Sequence, residues 1–272
     1  TVQETLIIPL YARKVCSELY PNLYRDETAV RLINEIDYDF SEAEKNSRGL
    51  MQRFGSLEVA MRQNDLAFEV RDYLKSHPNA AVVNLGCGLD STGRSCDNGS
   101  CKIYNLDFPD VIAVRNELLP AGEREENIPC DLNNTEWFRK IDSSSGAVFF
   151  ASGVFYYFLT EQVKTLVQKM ADAFPGDVLV FDAANRAAVK MIAKTWLKSA
   201  KIKDVGAYFA VSDAKSELSL WDSRLQVTSR GYMLGYNDLK DPSVSGFFHF
   251  LARVGDGMMR MQIVKIKFRG KQ

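Results

Sequence analysis

Three groups of residues have the types and spacing to do chemistry. The segment Asn84-Leu85-Gly86-Cys87-Gly88-Leu89-Asp90 sets two glycines one residue apart behind an apolar run. Glycine allows a tight turn there and lets a ligand approach the main chain. Asp107 follows Gly86 by 21 positions, the interval at which an acidic residue accepts hydrogen bonds from a ribose diol. Asp131 and Leu132 come behind Ile128-Pro129-Cys130, where an acceptor could take an adenine amino group and an apolar side chain could pack on the ring. Each feature has a plainer alternative. Two glycines can simply end a strand, and an aspartate at 131 can simply cap the segment that follows. A complete dinucleotide fingerprint would place a third glycine at 91, where this chain has Ser91.

These residues need elements to hold them. Asp26 can cap a helix through Ile36, with Ala29, Leu32, Ile33 and Ile36 at helical spacing. A longer helix is predicted from Ala43 to Ser76, ended by Pro78. The period then changes. Ala80 to Leu85, Lys102 to Leu106, Ala147 to Ala151 and Val178 to Phe181 are short apolar runs that read as buried strands. Ile128 to Cys130 would be a further short one. Helices are predicted from Pro109 to Leu118, from a Thr160 cap to Phe174, and from an Asn185 cap to about Leu197. Strands alternating with helices imply a mostly parallel α/β sheet of Rossmann-like type. Met259 to Phe268 alternates with period two, the pattern of an antiparallel edge strand, with Phe247 to Leu251 as its expected partner. The expected organisation is one domain over 1–272: a helical cap at 1–78, a cofactor core at 79–197, a lid at 198–246 and C-terminal strands at 247–272.

In such a sheet ligands bind beyond the carboxyl ends of the strands. The turn at 86–88, Asp107, Asp131 and the segment Ser152-Gly153-Val154-Phe155-Tyr156-Tyr157-Phe158 all fall at such ends. The aromatic cluster could serve an acceptor or could be core packing.

Composition narrows the partners. The 272 residues are 46% hydrophobic and 25% charged, with a formal net charge of -1. That supplies no basic excess for a broad nucleic-acid surface, so a small-molecule partner is expected. No apolar run reaches the ~18 residues of a membrane span, and Thr1 to Leu10 lacks a signal-peptide pattern. A cytoplasmic location is the expectation. Cys96 and Cys101 have the spacing of half a zinc site, but no second pair or histidine accompanies them. No metal is expected.

Val83 to Asp90 resembles the glycine loop of the leucine carboxyl methyltransferase family, and in particular its TcmP-like polyketide O-methyltransferase branch. The likeness extends over most of the chain. It includes Ile8-Pro9-Leu10-Tyr11-Ala12-Arg13, the helical Arg62-Gln63-Asn64-Asp65, Leu106-Asp107-Phe108-Pro109-Asp110-Val111-Ile112 and Gly153-Val154-Phe155-Tyr156-Tyr157. The resemblance implies a class I methyltransferase that uses S-adenosylmethionine and releases S-adenosylhomocysteine. It assigns Arg62 to the methionine carboxylate, Gly86, Cys87, Gly88, Ser152 and Gly153 to the cofactor's surroundings, Asp107 and Phe108 to the ribose end, and Asp131 with Leu132 to the adenine. Arg13 would serve the cofactor or the acceptor. The chain departs from the family pattern at Ser152, where a glutamate is usual, at Ser95, where an arginine is usual, and in the two cysteines of 96–101.

Methyl transfer from a sulfonium needs alignment and exclusion of water more than a reactive side chain. A carboxylate acceptor needs no base, whereas a phenol or alcohol benefits from one. With two histidines, His77 and His249, obvious bases are few. The expectation is therefore carboxyl O-methylation, with Tyr156 and Tyr157 shaping the acceptor pocket and His249 as a further acceptor-side candidate. Three rivals share the pattern: a nicotinamide-dependent oxidoreductase, a non-catalytic cofactor-binding or interaction protein, and an RNA methyltransferase using a local basic patch.

Overall fold

A computed structural model describes residues 2–192 and 208–270. Its centre is a seven-stranded sheet in the order β3-β2-β1-β4-β5-β7-β6. The strands are β1 (Ala81–Leu85), β2 (Lys102–Asp107), β3 (Glu125–Pro129), β4 (Ala147–Ala151), β5 (Val178–Ala183), β6 (Leu225–Gly231) and β7 (Gln262–Phe268). The first five are parallel, and β7 runs antiparallel between β5 and β6. The helices in chain order are α1 (Val2–Leu19), α2 (Glu27–Glu35), α3 (Ser41–Ser47), α4 (Leu50–Ser76), α5 (Thr92–Ser95), α6 (Pro109–Leu118), α7 (Thr160–Ala173), α8 (Arg186–Ile192), α9 (Ala214–Leu218) and α10 (Gly246–Gly257).

Strand residues alternate between two apolar layers because successive side chains point to opposite faces. Val82, Ile103, Phe150, Val180 and Ile263 pack under α4 and α10, against Leu57, Met61, Leu66, Val70 and Phe248. Val83, Leu106, Phe149, Leu179 and Ile266 face the other way, onto Val163, Leu166, Val167 and Met170 of α7 and onto Trp137 and Phe174. A third cluster joins Leu10 of α1 and Leu32 of α2 to Leu89 of the glycine loop. The N-terminal helices therefore rest directly on that loop.

Several sequence expectations are revised. The long helix divides into α3 and α4 around Arg48-Gly49. Thr160 is the first residue of α7, and it is the Leu159 N–H, one residue earlier, that donates to Gln162 Oε1 at 2.8 Å. Phe247 to Leu251 is helical, as part of α10. Ser245 caps it, its hydroxyl accepting from the Phe248 N–H at 3.3 Å. The buried residues Phe248, Ala252 and Gly255 recur at helical spacing, so the apolar run obeys a period of 3.6. The partner of β7 is instead β6, which takes the edge position expected of β7. That strand lies inside the segment expected to be a lid, although Leu225 and Val227 alternate with exposed neighbours in strand fashion. Residues 198–207 of that segment, and 193–197 of the helix predicted from Asn185, lie outside the described residues. Among the described residues no helix is long and apolar enough to cross a membrane.

Arg13 and Asp26 fasten the cap. Arg13 Nε donates to Asp26 Oδ2 at 2.9 Å, with both side chains buried. Asp26 Oδ1 accepts the Ala29 N–H at 2.8 Å and so caps α2. Removing one member of a buried ion pair strands the other charge and costs about 3–5 kcal/mol. Arg13→Met is therefore expected to lower the unfolding free energy by about 3 kcal/mol in urea titrations. A loss below about 1 kcal/mol would fit a solvent-screened pair instead.

Candidate active site

The turn after β1 takes φ +68° at Gly86 and +46° at Gly88, a region that L side chains rarely enter. Its polar groups are satisfied from several directions. The Gly88 N–H donates to Asp107 Oδ2 at 2.8 Å. Arg115 of α6, which is 1% exposed, donates from Nη1 to the Gly88 and Asp90 carbonyls at 2.8 Å each. Arg13 Nη2 donates to the Leu89 carbonyl at 3.1 Å. Asn84 Nδ2 donates to Asp90 Oδ2 at 3.0 Å, closing the loop on itself. Nothing in the sequence singled out Arg115. The signal would have been an arginine placed among Val111, Ile112, Leu118 and Leu119 at helical spacing, on the side of the helix that packs by Val111 and Ile112.

Asp107 sits at the end of β2 and is shared between two backbone donors. Oδ2 takes the Gly88 N–H and Oδ1 takes the Phe108 N–H, both at 2.8 Å. Burial pushes its carboxyl upward, and the two N–H groups oppose that shift. A carboxylate has about four acceptor positions, so two stay open to a ligand. Phe108 beside it is half exposed. Asp131 is exposed and forms a turn with Asn133, accepting its N–H at 2.9 Å, while Leu132 is buried. The Cys130 N–H donates to the Asp107 carbonyl at 2.8 Å, which places the 130–132 turn next to the end of β2.

At the end of β4, Gly153 has φ +68°, and Arg62 of α4 lies over it. A Cβ at 153 would stand 3.0 Å from Arg62 Nη2. Arg62 Nη1 meets Asp182 Oδ2 at 3.3 Å, at the end of β5, and the Gly153 N–H donates to Asp182 Oδ1 at 2.6 Å. Burial works against the charge on Arg62, but Asp182 outweighs it and holds the guanidinium above its ordinary value. Arg62 Nε is buried without a partner. Gly86 closes the circuit, because a Cβ there would lie 2.6 Å from Val154. The glycine turn, Asp107, Gly153 and Arg62 thus form one continuous wall along the carboxyl ends of β1, β2, β4 and β5.

The remaining expected residues divide. Cys87 is buried. The Ser152 hydroxyl donates to Gln63 Oε1 at 2.7 Å. Tyr156 is buried with an unpartnered hydroxyl, while Tyr157 is exposed. The guanidinium of Arg13 is committed to Asp26 and Leu89, away from Arg62. His249 lies on α10, half-buried. Arg94 forks onto Glu125 at 2.7 and 2.6 Å, so it joins α5 to β3 outside the wall. The cysteines at 96 and 101 are buried free thiols. Among the described residues no group of three or more histidine, cysteine or acidic side chains could hold a metal.

Asp65, three residues beyond Arg62, faces elsewhere. It accepts from the Met233 N–H at 2.9 Å and from Asn237 Nδ2 at 3.1 Å. It thereby holds the turn after β6 at a residue with φ +70°. Tyr232, next to that residue, is 3% exposed and lies in the field of Glu58, Arg62, Asp182 and Asp256.

Comparison with known proteins agrees with this architecture. The family model described as leucine carboxyl methyltransferase matches residues 8–171. The tetracenomycin polyketide synthesis O-methyltransferase TcmP of Streptomyces glaucescens is 27% identical over 183 residues, which is 67% of this chain and 66% of that protein. The chain thus aligns with just under two thirds of that relative's length. Among solved structures, a candidate methyltransferase from Thermobifida fusca superposes with a TM-score of 0.59 at 16% identity, covering 95% of this chain and 94% of that one. The plantazolicin methyltransferase BpumL, solved with S-adenosylhomocysteine, gives 0.51 at 14% identity, covering 98% and 99%. These likenesses establish the class I methyltransferase fold.

Two outcomes follow from the geometry. Gly153→Ala puts a methyl group against Arg62 in a left-handed conformation and is expected to cost about 1–3 kcal/mol, read by thermal or urea unfolding. The second concerns pH. Burial raises Asp65 to about 8, and Asp177, Glu58 and Asp256 shift in the same direction. A folded-state pKa above the unfolded one gives stability that is complete below the unfolded value and lost as pH rises through the folded one. Stability is therefore expected to fall between pH 5 and 9 (roughly the span of these shifts), with a shallower slope in Asp65→Asn. A rise over that range would contradict the assignment.

Proposed function

The chain belongs to the leucine carboxyl methyltransferase family, and from that membership we propose that it is an S-adenosylmethionine-dependent O-methyltransferase acting on a small molecule. The observation that carries this reading is the continuous wall formed by the turn at 86–88, Asp107, Gly153 and Arg62.

The residues present fit the cofactor. Arg62 is a buried guanidinium whose Nε has no partner, and a guanidinium fork matches a carboxylate. We assign it to the methionine carboxylate. Asp107 keeps acceptor positions open at the end of β2 and would take the ribose hydroxyls. Leu132 and Phe108 offer apolar faces to the adenine, with Asp131 as acceptor for its amino group. Gly86, Cys87, Gly88, Ser152 and Gly153 would line the space between. When bound, S-adenosylmethionine supplies a methyl group on a sulfonium that leaves as a neutral thioether. The protein's part is to orient the acceptor oxygen in line and keep water away. Tyr156 and Tyr157 sit at the end of β4, on the side toward β5, and we assign them to acceptor positioning. Arg13 and His249 receive no role, the first because its Nε and Nη2 hold Asp26 and Leu89.

Isothermal titration tests this directly. The protein is expected to bind S-adenosylhomocysteine and to give no heat with NAD. Asp107→Ala should weaken the first by at least tenfold, about 1.4 kcal/mol. Binding of NAD in place of S-adenosylhomocysteine would move the chain to the oxidoreductase reading. Binding of neither would leave the fold without this activity.

A further inference from the structure

We infer that the cavity between α4, α5 and the start of α2 is a binding site for a short organic anion with a carboxylate or phosphate head. This site stands apart from the cofactor reading, because none of Arg62, Gly86, Gly88, Asp107 and Gly153 lines it.

The cavity holds about 360 Å³, within the range of small-molecule pockets. One wall is a single face of α4. Gln63, Ala67 and Arg71 line it four residues apart, and residues at that spacing share a helix face. Eight residues of helix set the two polar ends about 12 Å apart along the axis. Ala67 contributes only a methyl group between them.

Gln63 forms the inner end and is 4% exposed. Its Oε1 is held by the Ser152 hydroxyl at 2.7 Å. Its Nε2 has no hydrogen bond to any described residue, and it is not enclosed by protein. The little surface this buried amide keeps therefore faces the cavity, with a donor aimed into it. Arg71 stands at the mouth, exposed. Its Nη2 donates to the Ser95 carbonyl at 3.0 Å and to the Ser95 hydroxyl at 3.3 Å, which draws the guanidinium across to α5. Among the described residues it has no ion-pair partner. A guanidinium carries five N–H donors, so most of them stay open. The opposite wall is the start of the nine-residue helix α2. Asp26 takes the Ala29 N–H, while the Glu27 and Thr28 N–H groups have no partner among the described residues. The positive end of the helix dipole lies there.

Charge selects the class of ligand. The charged side chains that line the cavity are Arg25, Asp26, Glu27 and Arg71. Asp26 is answered by Arg13 at 2.9 Å, and both its oxygens are in use. Two guanidinium groups then face one free carboxylate, the exposed Glu27. A buried amide donor, an unpaired guanidinium and a helix N-terminus all present N–H groups to the same space, and an oxyanion accepts from all three. Donors at both ends of a trough with a bare middle suit a ligand that is polar at each end.

The test titrates the whole protein with adipate and with glycerol 3-phosphate, read by calorimetry and ligand-observed NMR. Adipamide is the uncharged control, and each titration is repeated with S-adenosylhomocysteine present. Wild type should bind at least one of the two anions and not adipamide, and the tighter of the two names the head group as carboxylate or phosphate. Affinity should fall as salt is raised. Arg71→Ala should weaken binding at least about tenfold, and Arg71→Lys should restore part of it. Gln63→Glu keeps an oxygen for the Ser152 hydroxyl but replaces the donor with a negative charge, and should abolish binding. Arg71 is exposed, so Arg71→Ala keeps the fold and decides alone should Gln63→Glu not fold. Binding of neither anion, equal binding of adipamide, or wild-type affinity in a folded variant overturns the inference. So does displacement of the anion by S-adenosylhomocysteine, which would make the cavity part of the cofactor site. A protein that binds the anion but not S-adenosylhomocysteine keeps this inference and loses the cofactor reading.

Discussion

A glycine turn that must present bare backbone to a ligand has no side chains with which to hold itself. Here the holding is done from outside by two buried guanidinium groups. Arg115 takes the carbonyls of Gly88 and Asp90, and Arg13 takes that of Leu89. With the three carbonyls occupied, the turn can direct the Gly88 N–H at Asp107. That bond fixes the distance between the end of β1 and the carboxylate at the end of β2. The N-terminal helices become part of the site by the same route, since the arginine that reaches Leu89 also forms the ion pair that caps α2.

Helix α4 then divides its labour by face. Gln63 meets Ser152 beside β4, Arg62 crosses Gly153 to Asp182, and Asp65 and Glu69 hold the turn after β6 through Met233, Asn237 and Tyr236. A single helix therefore ties the ends of β4 and β5 to the turn after β6. At Gly153 an added Cβ would come within 3.0 Å of the Arg62 guanidinium, so neither position has slack to adjust alone.

Much of this was legible in the sequence. The parallel strands announced themselves as short β-branched runs, and the glycine turn and Asp107 stood at recognisable spacing behind them. Asp26 and Asn185 were readable as caps, and the Ala188 N–H does donate to Asn185 Oδ1 at 3.0 Å. Elements decided by tertiary context were harder. Phe247 to Leu251 is too short an apolar run to declare a period, and only the Ser245 cap marks it as helix. The edge strand β6 is mostly exposed, so its signal is faint. An ordinary helical residue in the sequence, Arg115, gains meaning only when the fold brings it to the glycine turn. Arg13 illustrates the converse, a motif residue whose charge is consumed inside the scaffold.

The central claim is that the turn at 86–88, Asp107 and Arg62 hold one adenosyl sulfonium molecule. A crystal structure grown with S-adenosylhomocysteine measures it most directly. The account predicts ribose hydroxyls about 3 Å from the Asp107 carboxylate, the methionine carboxylate on Arg62 and the adenine between Phe108 and Leu132. A ligand seated elsewhere, or one whose amino-acid end points away from Arg62, would contradict it.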